Sequence, residues 1–229
     1  MVPGRPCDHS VTSPVCSFCV WYTSYVLGDF PLSVVKAMND HPFDELFLEQ
    51  TCHHRSMSHL NLHEKNRKGT EERSALIGKA GGVEAVTKAM QRHPSVAKLL
   101  KKACKTLMNL VAGNDDNKRC VAEAGVVEAV VKAMKDHPFD ELGLEKACAV
   151  LQDLSRHTDE RNRMEGVERR SRIGKAGGVE AVIKAMQRHP SVAKLLKFAY
   201  GALSNLCFDN DDNRRRVAQA GGVEAVVIR

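Results

Sequence analysis

Aromatic residues are scarce in this chain of 229, at 5% with a single Trp. β-branched runs are few as well. Both shortages argue against a sandwich or barrel, whose strands draw on those residue types. No stretch reaches the roughly 18 apolar residues that a membrane-crossing helix needs. An excess of one charge is missing too: 34 Lys and Arg against 28 Asp and Glu leave +6, too mild to imply nucleic acid by itself. Disorder is disfavoured by 43% apolar residues with only 27% charged. Catalytic signatures are absent. Gly78-Lys79 is followed by Ala80, so no phosphate-binding Gly-x-x-x-x-Gly-Lys-Ser/Thr forms, and neither Gly-x-Ser-x-Gly nor Gly-x-Gly-x-x-Gly occurs. His63-Glu64 opens a His-Glu-x-x-His pattern, but Arg67 stands where the second His belongs. The expectation is a soluble, non-enzymatic chain with no cofactor and no small-molecule substrate.

Eight cysteines are present: Cys7, Cys16, Cys19, Cys52, Cys104, Cys120, Cys148 and Cys207. The chain is too long and too helical in pattern for a disulfide scaffold. Cys52, Cys104 and Cys148 recur at one place in a repeat, which suits small free core residues. Reduced thiols point to a cytoplasmic address, or a nuclear one. Residues 1–30 differ from the rest and read as a poorly ordered arm. Cys7, His9, Cys16 and Cys19 offer four zinc donors at a poor spacing. Val15–Leu27 makes a weak apolar run for a leader. His53, His54, His59 and His63 form the one histidine cluster worth a metal test, although exposed histidines usually bind nothing.

What the chain does have is internal repetition. His-Pro recurs at His41, His93, His137 and His189, with spacings of 52, 44 and 52. IGKAGGVEAVTKAMQRHPSVAKLLK from Ile77 returns from Ile173 with only Thr87 changed, to Ile183. VVKAMNDHPFDELFLEQTC from Val34 returns, with few changes, from Val130. A cassette of two units and 96 residues has therefore been duplicated. Within a unit, VEAVxKAM makes one helix, with Val83, Val86, Ala89 and Met90 along one side. His-Pro breaks it, because the residue before proline avoids the α region. A longer helix follows, with proline in its first turn. Its apolar stripe is Leu100, Ala103, Leu107, Leu110, then Leu144, Ala147, Leu151, Leu154, then Leu196, Ala199, Leu203, Leu206. Those steps of three and four mark one helix face. A third, short piece follows Asn-Asp-Asp-Asn, over 118–124 and 214–220, with Gly125 and Gly221 as left-handed stops.

Two units depart from the pattern. Units one and three carry eight extra residues, since His41 to Gly81 spans 40 and His93 to Gly125 spans 32. In unit three they lie within ERNRMEGVERRSR, read as a longer, charged, solvent-facing helix or loop. Unit one has Leu48, Thr51, Arg55 and Ser58 on its stripe, and Arg55 and Ser58 cannot seal a core. The chain stops at VEAVVIR, one helix into a fifth unit, and that uncapped end is a candidate for self-association.

A short, a medium and a Pro-started long helix with a Gly-Gly link, at 42–44 residues, resembles the armadillo repeat. AGGVEAV, ACKTLMNL and ALSNL carry the resemblance over 34–229. HEAT repeats are the neighbouring alternative. The family implies an all-α, right-handed α-solenoid over 31–229. Its repeats are 31–82, 83–126, 127–178 and 179–222, the first irregular, with a truncated fifth at 223–229. One unit cannot bury both faces, so neighbours bury them together.

The family also implies that each long helix lines a concave groove. By the 100° step, the face opposite the apolar stripe carries Lys98, Lys102, Lys105 and Asn109 in unit two. Leu142, Lys146, Ala149 and Asp153 follow in unit three, then Lys194, Phe198, Gly201 and Asn205 in unit four. Five lysines against one aspartate predict a basic groove that holds an extended acidic peptide; the bland reading is a set of solvated helix faces. The resemblance gives Asn109 and Asn205 the role of holding a peptide backbone, since an amide offers donor and acceptor together. Asp153 would lose the donor. Armadillo transport adaptors place a Trp four residues before that Asn, where this chain has Lys105, Ala149 and Gly201. Nucleocytoplasmic transport is thus the runner-up to a peptide-binding adaptor. Nucleic acid is disfavoured, because Phe198 is the only aromatic on the basic face.

Overall fold

The computed structural model describes residues 35–36, 38–40, 67–138, 140–156 and 163–222. Outside the described residues lie the 1–30 arm, the Leu48–Ser58 stripe, the 53–63 histidines and the 223–229 end. Among the described residues there are helices and no strand. In chain order the helices are α1 (Arg67–Lys79), α2 (Gly82–Arg92), α3 (Ala97–Val111), α4 (Asp115–Ala124) and α5 (Val126–Asp136). Then come α6 (Glu141–Ser155), α7 (Arg163–Lys175), α8 (Gly178–Arg188), α9 (Ala193–Cys207) and α10 (Asp211–Gln219).

Local chemistry sets these boundaries. Gly81, Gly125 and Gly177 sit at φ between 72° and 83°, the left-handed turn that an L side chain resists. They join one helix to the next across only one or two residues. His93, His137 and His189 close α2, α5 and α8, each donating its backbone N–H to the carbonyl four residues back. The side chains then reach across layers. His137 Nε2 lies 2.7 Å from the Pro94 carbonyl, and His189 Nε2 lies 2.9 Å from that of Pro138. A carbonyl only accepts, so Nε2 carries the proton in both. Asn114 and Asn210 cap α4 and α10 by accepting from the N–H of Asn117 and Asn213. These two helices therefore start three residues before the predicted 118 and 214. Asn117 and Asn213 fall inside them.

The helices pack in columns. α3, α6 and α9 stack side by side, and so do α2, α5 and α8. Every residue of the three predicted long-helix stripes is buried, with Leu107, Leu151 and Leu206 fully so. Each full burial of a Leu is worth about 1.5–3 kcal/mol, which is what joins layer to layer.

The short helices alternate. α1 packs on α4 and α7 on α10, but α4 and α7 do not pack closely. One position decides this. Asn117 Nδ2 donates to the Leu110 carbonyl (2.7 Å), at the end of the preceding long helix, and to Ser74 of α1 (3.0 Å). Asn213 repeats the contact with Leu206 (2.9 Å) and Arg170 (3.0 Å). The equivalent residue on α7 is Arg169, whose Nε donates to the Leu154 carbonyl at 3.0 Å. An arginine is too long to draw α4 and α7 together as Asn does. A cleft of about 460 Å³ stays open between them, crossed by the Arg119–Glu165 ion pair at 3.2 Å. The extra residues of unit three thus lead into a helix that is not simply solvent-facing. Arg169 and Arg170 are buried at its centre, and Arg170 lies 5.6 Å from the Phe208 ring centroid.

Candidate functional site

Three long helices, α3, α6 and α9, supply the candidate groove. Their apolar stripes face inward, so the opposite residues remain at least partly open, apart from Ala149. On α3, Lys98 is exposed, and Lys102, Lys105 and Asn109 are half-buried. α3 contains four lysines and no carboxylate. α9 likewise carries two lysines and no carboxylate, with Lys194 exposed in its first turn. Cations at a helix N-terminus oppose the helix dipole, at about 0.3–1 kcal/mol each. Such placement on two helices of one column is not what helix stability alone selects.

The middle helix differs. α6 is capped by Asp140, whose side chain accepts from the N–H of Gly143, and its first residue is Glu141. Lys146 is half-buried and pairs with Glu145 at 2.6 Å. Asp153 is half-buried, and burial raises its carboxyl above the ordinary 3.8, against the pull of Lys118 and Arg156. The predicted groove is therefore not uniformly basic. Two cationic stretches on α3 and α9 flank a middle in which charge is paired or disfavoured.

Asn205 is half-buried, and its Nδ2 donates to the Gln152 carbonyl on α6 at 3.1 Å. One amide hydrogen is thus committed to joining α9 to α6. Phe198 packs against the core from its half-buried position. The residues that the sequence reading missed are Gln152 and Glu145. Gln152 fills the place a side chain at Gly201 would take, since a β-carbon there would lie 2.1 Å from its Nε2. The signal was legible: a mid-helix glycine costs about 1 kcal/mol against alanine, so it asks for a reason. Glu145 gave no such signal, because a glutamate beside a lysine is ordinary.

Among the described residues, no cluster of three or more His, Cys, Asp or Glu could hold a metal ion, and no helix is long and apolar enough to cross a membrane. No protein-family model matches the chain, and no curated protein sequence matches it. Among solved structures, it is similar to the crystal structure of an engineered protein from the Northeast Structural Genomics Consortium. The TM-score is 0.65 at 24% identity, covering 86% of this chain and 70% of that one. At that identity the likeness concerns the fold alone.

Proposed function

We propose that the chain is a right-handed α-solenoid of armadillo type, acting as a non-enzymatic adaptor. Its groove, formed by α3, α6 and α9, binds an extended acidic segment of another protein. The observation that supports this best is charge: α3 and α9 together carry six lysines and no carboxylate. Lys98, Lys102 and Lys105 form one end of the groove, and Lys194 with Phe198 the other. Asn109 and Asn205 would hold the peptide backbone. Cations gathered on one surface raise the local potential and steer acidic chains toward it.

The gap in basicity at α6 sets a spacing. Helices pack about 10 Å apart, so α3 and α9 are separated by about 20 Å. An extended chain advances about 3.3 Å per residue. Two acidic clusters about six residues apart then meet both lysine sets, and a neutral stretch crosses α6. Fluorescence anisotropy with a labelled peptide of that pattern tests the reading. Lys102→Glu combined with Lys105→Glu is expected to weaken binding at least tenfold and to flatten its salt dependence. Unchanged affinity and salt slope would reject the groove.

A further inference from the structure

The near identity of the repeats makes each local difference informative, and one stands out on the α2–α5–α8 column. Between α5 and α8 lies a hollow of about 220 Å³. Its floor is apolar: Met134, Leu144, Ala181 and Ala185. Its rim carries Lys135 and Lys184, both exposed, with Arg188 beside them. No ion pair joins either lysine to a carboxylate among the described residues.

The equivalent junction one layer earlier, between α2 and α5, serves as an internal control. At the positions equivalent to that floor it has Met90, Leu100, Ala129 and Ala133, which are buried as well. Its rim is Gln91, Lys132 and Asp136, and Lys132 pairs with Asp136 at 2.6 Å. Among the described residues, the rim lysine is therefore paired at one junction, whereas two rim lysines stand without an ion pair at the other. Helix dipoles favour cations at every C-terminus, so they do not account for a difference between equivalent positions of two repeats.

Size and polarity narrow the occupant. Free small molecules occupy pockets of about 300 Å³ upward, so this hollow suits one side chain. An apolar floor offers inorganic phosphate nothing to bond. The rim attracts carboxylates, and a buried apolar anchor with a polar surround is how protein partners concentrate binding energy. We propose that the hollow between α5 and α8 is a second docking site, which takes one leucine- or phenylalanine-sized side chain from an acidic segment of a partner protein. It lies chiefly on α5 and α8, with Leu144 of α6 as its one residue from the groove column, and it uses none of the groove residues.

Met134 on the floor and Met90 in the neutral junction provide matched reporters. The full chain, labelled with ¹³C at methionine methyls, is titrated with a short polyglutamate peptide bearing one central leucine. The Met134 methyl resonance is expected to shift saturably while that of Met90 stays. A twin peptide with serine for leucine, and the Lys135→Gln/Lys184→Gln protein, should each bind at least fivefold more weakly. The Met134 shift should survive in Lys102→Glu/Lys105→Glu protein, which separates this site from the groove. An unmoved Met134, an equal shift at Met90, no effect of the serine twin, or loss of the shift in the groove variant each overturns the proposal. So does a Met134 response to phosphatidylserine vesicles alone, which would make the occupant a membrane.

Discussion

Asp153 occupies the place that Asn109 and Asn205 hold in the adjacent layers, and there its charge is a liability. Burial raises its carboxyl above 3.8, outweighing Lys118 and Arg156. An acid whose folded pKa exceeds its unfolded one weakens the fold wherever the unfolded chain has ionised. The penalty is complete above the folded pKa and vanishes once pH falls below the unfolded one. Asp153→Asn is therefore expected to raise Tm at neutral pH, with the gain gone at about pH 3. A Tm difference that is absent at neutral pH, or that grows on acidification, would show that the carboxylate is well solvated. Asparagine also restores a donor of the kind Asn205 gives to Gln152.

At the level of the helix, α6 is, among the described long helices, the one with a described long helix on each side, α3 on one and α9 on the other. Leu151 is fully buried, whereas the equivalent Leu203 retains 7% exposure. Leu→Ala in a core costs about 2–5 kcal/mol, more where surrounding atoms cannot relax into the space. Leu151→Ala is expected to cost about 4 kcal/mol and Leu203→Ala about 2 to 3. Urea midpoints measure both, and a reversed order would contradict the layered packing. These stripes were legible because period and burial follow directly from one another. Helix ends were legible where proline or a left-handed glycine forces them. The starts of α4 and α10 were misplaced, because Asn114 and Asn117 are both plausible caps until a cross-layer partner claims Asn117. Arg169 could not be read at all: its role depends on the distance to α4, which no local pattern encodes. The candidate groove positions could be named from the sequence, but not the pairing of Lys146 with Glu145, since a contact between sequence neighbours leaves no periodic trace.

Over the whole molecule, the depth of the layers decides which thiols react. Cys104 and Cys148 are buried, and Cys120 and Cys207 are half-buried. Burial pushes the Cys148 thiol up to about 12, with Cys104 adding to the effect. The thiolate is the reactive form, so of these four thiols iodoacetamide at mildly alkaline pH should alkylate Cys207 and Cys120 before Cys104 and Cys148. Cys148 should label only as fast as the layers open, which peptide mass spectrometry reads directly; labelling as rapid as at Cys207 would mean that the middle of the stack is not sealed. The alternation of Asn117, Arg169 and Asn213 has a different consequence. Narrow and wide seams take turns along the stack, so its smallest self-consistent piece is two layers, the same 96 residues that recur in the sequence. Recombination between the near-identical copies would lengthen or shorten the array by that amount and still leave every seam facing its proper neighbour. Loss of one layer would set a narrow seam against a helix shaped for a wide one.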